Sequence, residues 1–115
     1  MPVVESLKKK SAFKQVYSRG RYAADSLLVV YALANNAGVN KLGLSVSKKV
    51  GNAVIRNRVR RLIKENYRHM HMTTDNSTHY DLVVVARASS GQLDKNLAFH
   101  KINDSLTRLF RKLGL

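Results

Sequence analysis

An α+β domain with three helices and four strands, in the order helix, short strand, strand, strand, basic helix, strand, helix, is the fold that the sequence predicts. Three observations carry it. Residues 48–68 repeat apolar and basic side chains at helical spacing, residues 41–47 alternate apolar with small residues as a half-buried strand does, and residues 99–113 carry apolar side chains three and four apart. A chain of 115 residues suffices for one domain with a real core and is too short for two comfortable ones. We therefore read 1–115 as a single domain.

Taken in order, a basic segment leads into a short helix over 11–20, with Ser11 as N-cap and Gly20 as the residue that closes it. Phe13, Val16 and Tyr17 fall at i, i+3 and i+4 and share one face, which periodicity alone assigns to the core. Arg19 to Ala24 forms a short strand leading into the β-branched run Leu27 to Leu33, and Asn35-Asn36-Ala37-Gly38 turns the chain. In the next strand Leu42, Leu44 and Val46 face the core while Gly43, Ser45 and Ser47 form a small, polar outer face. Small residues let a sugar-phosphate backbone come close and hydroxyls can hydrogen-bond to it, although an ordinary solvated face has the same composition. Tyr31 on the neighbouring strand could stack a base.

The run Lys48 to Arg68 holds eight basic residues and one acid, Glu65. Gly51 and Asn52 supply a turn and an N-cap for its helix, with Lys48 and Lys49 just before the first turn. At about 100° per residue, with Arg56 at zero, Arg60, Lys64, Arg68 and Arg61 follow between about 40° and 140°, and Leu62, Ile55, Val59 and Ile63 between about 240° and 340°. One face is core and the opposite face is cationic. A charged helix face is ordinarily just solvated, but acids at i+4 are nearly absent here and Arg outnumbers Lys, and the Arg fork suits phosphate. Asn57, between Arg56 and Arg58, adds an amide able to reach a base edge or a 2′-hydroxyl.

This helix fades near Met70 to Met72, and Thr73 to His79 reads as a polar loop. The continuous run Leu82 to Val85 within the strand Asp81 to Ala86 predicts a central strand covered on both faces. Ser89-Ser90-Gly91 breaks the chain, Asp94 or Asn96 caps the last helix, and Phe99, Ile102, Leu106, Leu109, Phe110 and Leu113 make it a core helix ended by Gly114.

Lys and Arg number 21 against 7 Asp and Glu, a net charge of +14, so the expected partner is a polyanion. A membrane surface fits poorly, because the apolar residues of the basic helix form a core stripe without the Trp and Phe of an interfacial face. The chain has no cysteine, which excludes disulfides and cysteine zinc sites and fits a reducing cytosol. No apolar stretch follows Leu7-Lys8-Lys9-Lys10, so no signal peptide is read and a cytoplasmic location is expected. The acids are scattered, and His69-Met70-His71 places two rings on different helix faces, so neither catalytic nor metal-binding residues are expected.

The string Lys48-Lys49-Val50-Gly51-Asn52-Ala53-Val54, followed by Arg56-Asn57-Arg58, Arg60-Arg61-Leu62 and Lys64, closely resembles the RNR helix of the bacterial ribonuclease P protein subunit. The resemblance extends from about Leu7 to Gly114. It implies a four-stranded sheet with a left-handed strand-helix-strand crossover, against the usual right-handed rule. It also implies an accessory subunit that helps a catalytic RNA to remove the 5′ leader of precursor tRNA, with magnesium used by the ribonucleoprotein and no stable protein partner required. By the same resemblance, Phe13, Tyr17, Tyr31, Ser45 and Ser47 hold the leader. Lys48, Lys49, Asn52, Arg56, Asn57, Arg58, Arg60, Arg61, Lys64 and Arg68 divide between the leader and the catalytic RNA. A general RNA-binding or ribosomal-type protein, or a DNA binder with its basic helix in a groove, explains the charge equally well.

Overall fold

The computed structural model describes residues 4–70 and 78–115. Its elements are α1 (Lys10–Arg19), β1 (Arg21–Ala24), β2 (Leu28–Asn35), β3 (Lys41–Val46), α2 (Ala53–Arg68), β4 (His79–Ala86), a short 3₁₀ turn (Ala88–Gln92) and α3 (Lys95–Lys112). The order matches the sequence expectation. The four strands make one sheet in the spatial order β1-β2-β4-β3, with β1-β2 and β2-β4 antiparallel and β3-β4 parallel. Parallel neighbours cannot be joined by a tight turn, so the chain crosses over through α2. His71 and most of the expected loop from Thr73 lie outside the described residues.

The two sheet faces carry different partners. Leu28, Val30, Ala32, Leu42, Val46, Leu82, Val84 and Ala86 pack with Val59 and Ile63 of α2 and with Ile102, Leu106, Leu109 and Phe110 of α3. On the other face, Val83 clusters with Leu7 and Val16, beside Phe13, Tyr31 and Leu33. β4 is central, as its apolar run predicts, and Leu82, Val83 and Val84 are fully buried; Val85, however, is half-exposed, because α1 covers only part of its face. Upstream of α1, the backbone of Glu5 and Leu7 hydrogen-bonds to both sides of Leu42 and shields part of the outer edge of β3.

Local chemistry explains most boundaries. Asn52 caps α2 by accepting from Ile55 N at 3.0 Å, and Asp94 rather than Asn96 caps α3, accepting from Asn96 N at 2.8 Å. Ser11 does not cap α1, which starts one residue earlier after Lys9 and has no side-chain cap. Gly20 follows that helix in extended backbone, not in the left-handed region; it is needed because a Cβ there would stand 2.6 Å from the Val16 carbonyl and 3.0 Å from that of Ala32. Phe99, expected in the core, is 37% exposed, while Ala98 takes the buried position.

Two polar groups, the buried Asn66 and the partly buried Asp25, tie α3 down. Asn66 donates to Leu62 O at 2.9 Å and to Phe99 O at 3.2 Å, which locks α2 to α3. Asp25, between β1 and β2, accepts from Leu27 N and Leu28 N, both at 2.9 Å, and from Ser105 Oγ at 2.7 Å, with Arg108 at 3.5 Å. Burial by itself raises its pKa, but the hydrogen bonds from Ser105, Leu28 and Leu27 and the charge of Arg108 together outweigh that and hold the carboxyl below its ordinary 3.8. A lowered folded pKa contributes stability above the unfolded value, lost as pH falls through the folded one. Asp25→Ala should therefore cost ~2 kcal/mol near neutrality, the range for hydrogen bonds to a charged group. In melts from pH 7 to pH 2, the gap from the natural sequence should hold down to about pH 4 and then narrow; a gap independent of pH would contradict this role.

Candidate RNA-binding surfaces

The strand register lays out the face shared with α1 row by row. Tyr22 pairs with Tyr31, Tyr31 with Val83, and Val83 with Gly43; α1 lies over the inner part of this row. The next row is Ala24, Val29, Val85 and Ser45, each exposed or half-exposed. It forms an open floor along the side of α1. A chain lying there meets aliphatic surface, one hydroxyl and the rim of aromatic rings.

Those rings form a series. Phe13 and Tyr17 are edge to face at 6.4 Å, Tyr17 and Tyr31 at 5.0 Å, and Tyr31 and Tyr22 are tilted at 5.6 Å. Tyr17 and Tyr22 are 41% and 66% exposed, enough ring surface to stack an unpaired base. Lys8, Lys10 and Lys14 join Phe13 and Tyr17 along a groove on α1. The expected residues Phe13, Tyr17, Tyr31 and Ser45 thus come together, and Ser47 lies exposed just past the end of β3. Tyr22, Lys8, Lys10 and Lys14 were not foreseen. The lysines had a legible signal in their spacing, Lys10 and Lys14 running parallel to Phe13 and Tyr17, whereas Tyr22 is placed by a cross-strand register.

The outer face of β3 is not uniformly open, as its alternation suggested. Gly43 is buried under Phe13, whose Cζ would stand 2.5 Å from a Cβ built at that position. The glycine therefore seats the ring rather than admitting a backbone.

The basic and amide side chains of α2 and of the turn before it fall into three groups. Lys48, Lys49, Asn52, Asn57, Arg61 and Lys64 are exposed, and neither Arg61 nor Lys64 has an ion pair or hydrogen bond among the described residues. Arg56 and Arg60 are half-buried and differ from the free cations that the helical wheel suggested: Arg56 Nη1 donates to Gly51 O at 3.2 Å, and Arg60 donates to Asn57 Oδ1 at 3.1 Å and to Val46 O at 3.5 Å. The cause is the turn into the helix, which brings the end of β3 and Gly51 against the first turns of α2. On the opposite edge Arg58 and Arg68 lean toward α3, with Glu65 3.6 Å from Arg68 and 3.1 Å from His69. Among the described residues no three His, Cys, Asp or Glu side chains are grouped to hold a metal ion, and no helix is long and apolar enough to cross a membrane.

The contact of Gly43 with Phe13 is directly testable. Gly43→Ala should destabilise the protein by about 1–3 kcal/mol, as overpacking does, and should move the ring resonances of Phe13. An unchanged melt with unchanged ring shifts would refute the contact.

Comparison with known proteins gives a consistent result. Residues 1–114 match the family model described as Ribonuclease P. The ribonuclease P protein component of Clostridium kluyveri is 45% identical over 115 residues, covering 97% of this chain and 96% of its own. That of Clostridioides difficile is 44% identical over 111 residues, covering 96% and 93%. Among solved structures, the RNase P protein of Staphylococcus aureus superposes with a TM-score of 0.81 at 31% identity, covering 96% of each chain. The RNase P protein of Thermotoga maritima superposes with a TM-score of 0.76, and at 24% identity that likeness bears on the fold alone. With the family model spanning nearly its whole length and relatives of this identity and coverage, the chain belongs to the ribonuclease P protein family.

Proposed function

We propose that this chain, as the protein subunit of ribonuclease P, holds the single-stranded 5′ leader of precursor tRNA along the open sheet row beside α1 and the catalytic RNA against α2, while RNA carries out the cleavage. The observation that supports it best is the aromatic series Phe13, Tyr17, Tyr31 and Tyr22 rimming an uncovered row of strand residues. Stacking on such rings favours unpaired bases without demanding a particular sequence. Ser45 and Ser47 supply hydroxyls to the backbone of the leader, and Lys48 and Lys49 continue its path from the end of β3 to the first turn of α2. Arg56 and Arg60, held by backbone carbonyls, present fixed donors at that junction. Arg61, Lys64 and Asn57 face outward for the catalytic RNA.

Magnesium belongs to the holoenzyme in this family by the resemblance. We derive no step through it. A cytoplasmic location follows from the same reading.

Binding to the catalytic RNA should be mainly electrostatic. With roughly five phosphate contacts, log affinity against log salt should fall with a slope of about −3.5 to −4.5, and Arg61→Ala or Lys64→Ala should each make it shallower by about 0.7–0.9 with an unchanged melt. A flat salt dependence would exclude this interface. For the leader, Tyr17→Leu removes a partly exposed ring and should weaken precursors with several leader nucleotides by about 1–3 kcal/mol. Mature tRNA and one-nucleotide leaders should bind as before, and single-turnover cleavage at saturating substrate should stay near normal. Equal losses for long and short leaders would sink the stacking role. The protein alone should not cleave precursor tRNA; with a bacterial ribonuclease P RNA at low magnesium it should promote cleavage, and an inert mixture would favour a general RNA-binding protein.

A further inference from the structure

Arg58, Leu62 and Glu65 follow at i, i+4 and i+7 along the edge of α2 that faces α3, and with Arg68 and Phe99 they line a groove between the two helices whose outer rim is formed by Arg61 and Lys64. Two features there remain unexplained by the packing. Phe99 exposes an aromatic ring among cations, and its carbonyl is gripped by the buried amide of Asn66 at 3.2 Å, so its position is set by the fold. Arg58 has no hydrogen bond or ion pair among the described residues, and the Nε atoms of Arg58 and Arg68 are shielded from solvent without an acceptor. The single acid, Glu65, is already engaged by Arg68 and His69. A flat ring, an apolar floor and two guanidinium forks complement one ligand chemistry, a base with its phosphate. Because α2 and α3 cover the sheet face opposite α1, a strand segment in the leader cleft does not also fill this groove.

We propose that the α2–α3 groove is a second single-strand site, which seats one unpaired nucleotide of the catalytic RNA with its base on Phe99 and its phosphate between Arg58 and Arg68. The proposal rests on the functional reading above. A base-paired helix would present phosphates to the arginines but would have no use for the ring.

The test measures binding of the full chain to a bacterial ribonuclease P RNA transcript, without substrate, across a salt series. Phe99→Leu should weaken binding about tenfold at unchanged salt slope and unchanged melting temperature, and Phe99→Tyr should restore it. Arg58→Gln should weaken binding and make the slope shallower by about one. Benzoylphenylalanine at position 99 should crosslink to unpaired nucleotides of that RNA. Wild-type affinity in Phe99→Leu, or crosslinks confined to paired RNA or to the leader of an added precursor, would overturn the groove while leaving the functional reading intact. Failure of the unaltered chain to bind the transcript would overturn that reading itself, and the groove with it.

Discussion

Insertion of β4 between β2 and β3 is the constraint on which the rest of the molecule depends. Its Leu82, Val83 and Val84 are wholly buried and face alternately to both sides. Each such side chain contributes about 1.5–3 kcal/mol when removed from water, a gain that requires cover on both faces of the sheet. α2 and α3 provide it on one side; α1 provides it on the other only as far as Val83, and the row through Val85 stays open. The aromatic cleft is the part of the sheet that one short helix does not reach. Because β3 and β4 are parallel neighbours, the basic helix is also the crossover, and its orientation is bound to the same strand.

Rigidity of the cationic face follows from these attachments. Val59 and Ile63 bury one side of α2, Asn66 fastens it to α3, and Arg56 and Arg60 hook the first turns to the carbonyls of Gly51 and Val46. The remaining cations project from a backbone with little freedom to lose on binding, which lowers the entropic cost of meeting a shaped polyanion. The net charge of +14 also has an internal consequence, since like charges repel in the compact state. An RNA partner that binds only the folded chain stabilises it by mass action.

Sheet and helices divide the surface into regions with different chemistry. Beside α1, exposed rings and aliphatic floor suit unpaired bases. On the outer face of α2, Arg61 and Lys64 suit phosphate and little else. Between α2 and α3, a ring and arginines occur together. One strand, β3, links the first two regions, because Ser45 lies on the floor of the cleft while the carbonyl of the next residue, Val46, receives Arg60.

The sequence by itself determined the element types and order, the cap at Asn52, the core stripe of α2, the centrality of β4 and the strongly basic charge balance. Each is read from neighbours within a few residues, where backbone sterics, capping and periodicity act, and the long RNR string identified the family. Tertiary structure alone decided what covers each face. Phe13 meets Gly43, Tyr22 meets Tyr31, Arg60 reaches Val46 and Asn66 reaches Phe99, contacts set by strand register and helix packing between residues distant in the chain. Periodicity places Phe99 on the same stripe as Ile102 and Leu106, yet α3 packs there through Ala98, and the Phe99 ring is left partly exposed at the edge of that contact. The same limit made Arg56 and Arg60 look free on a helical wheel, because a wheel contains no β3.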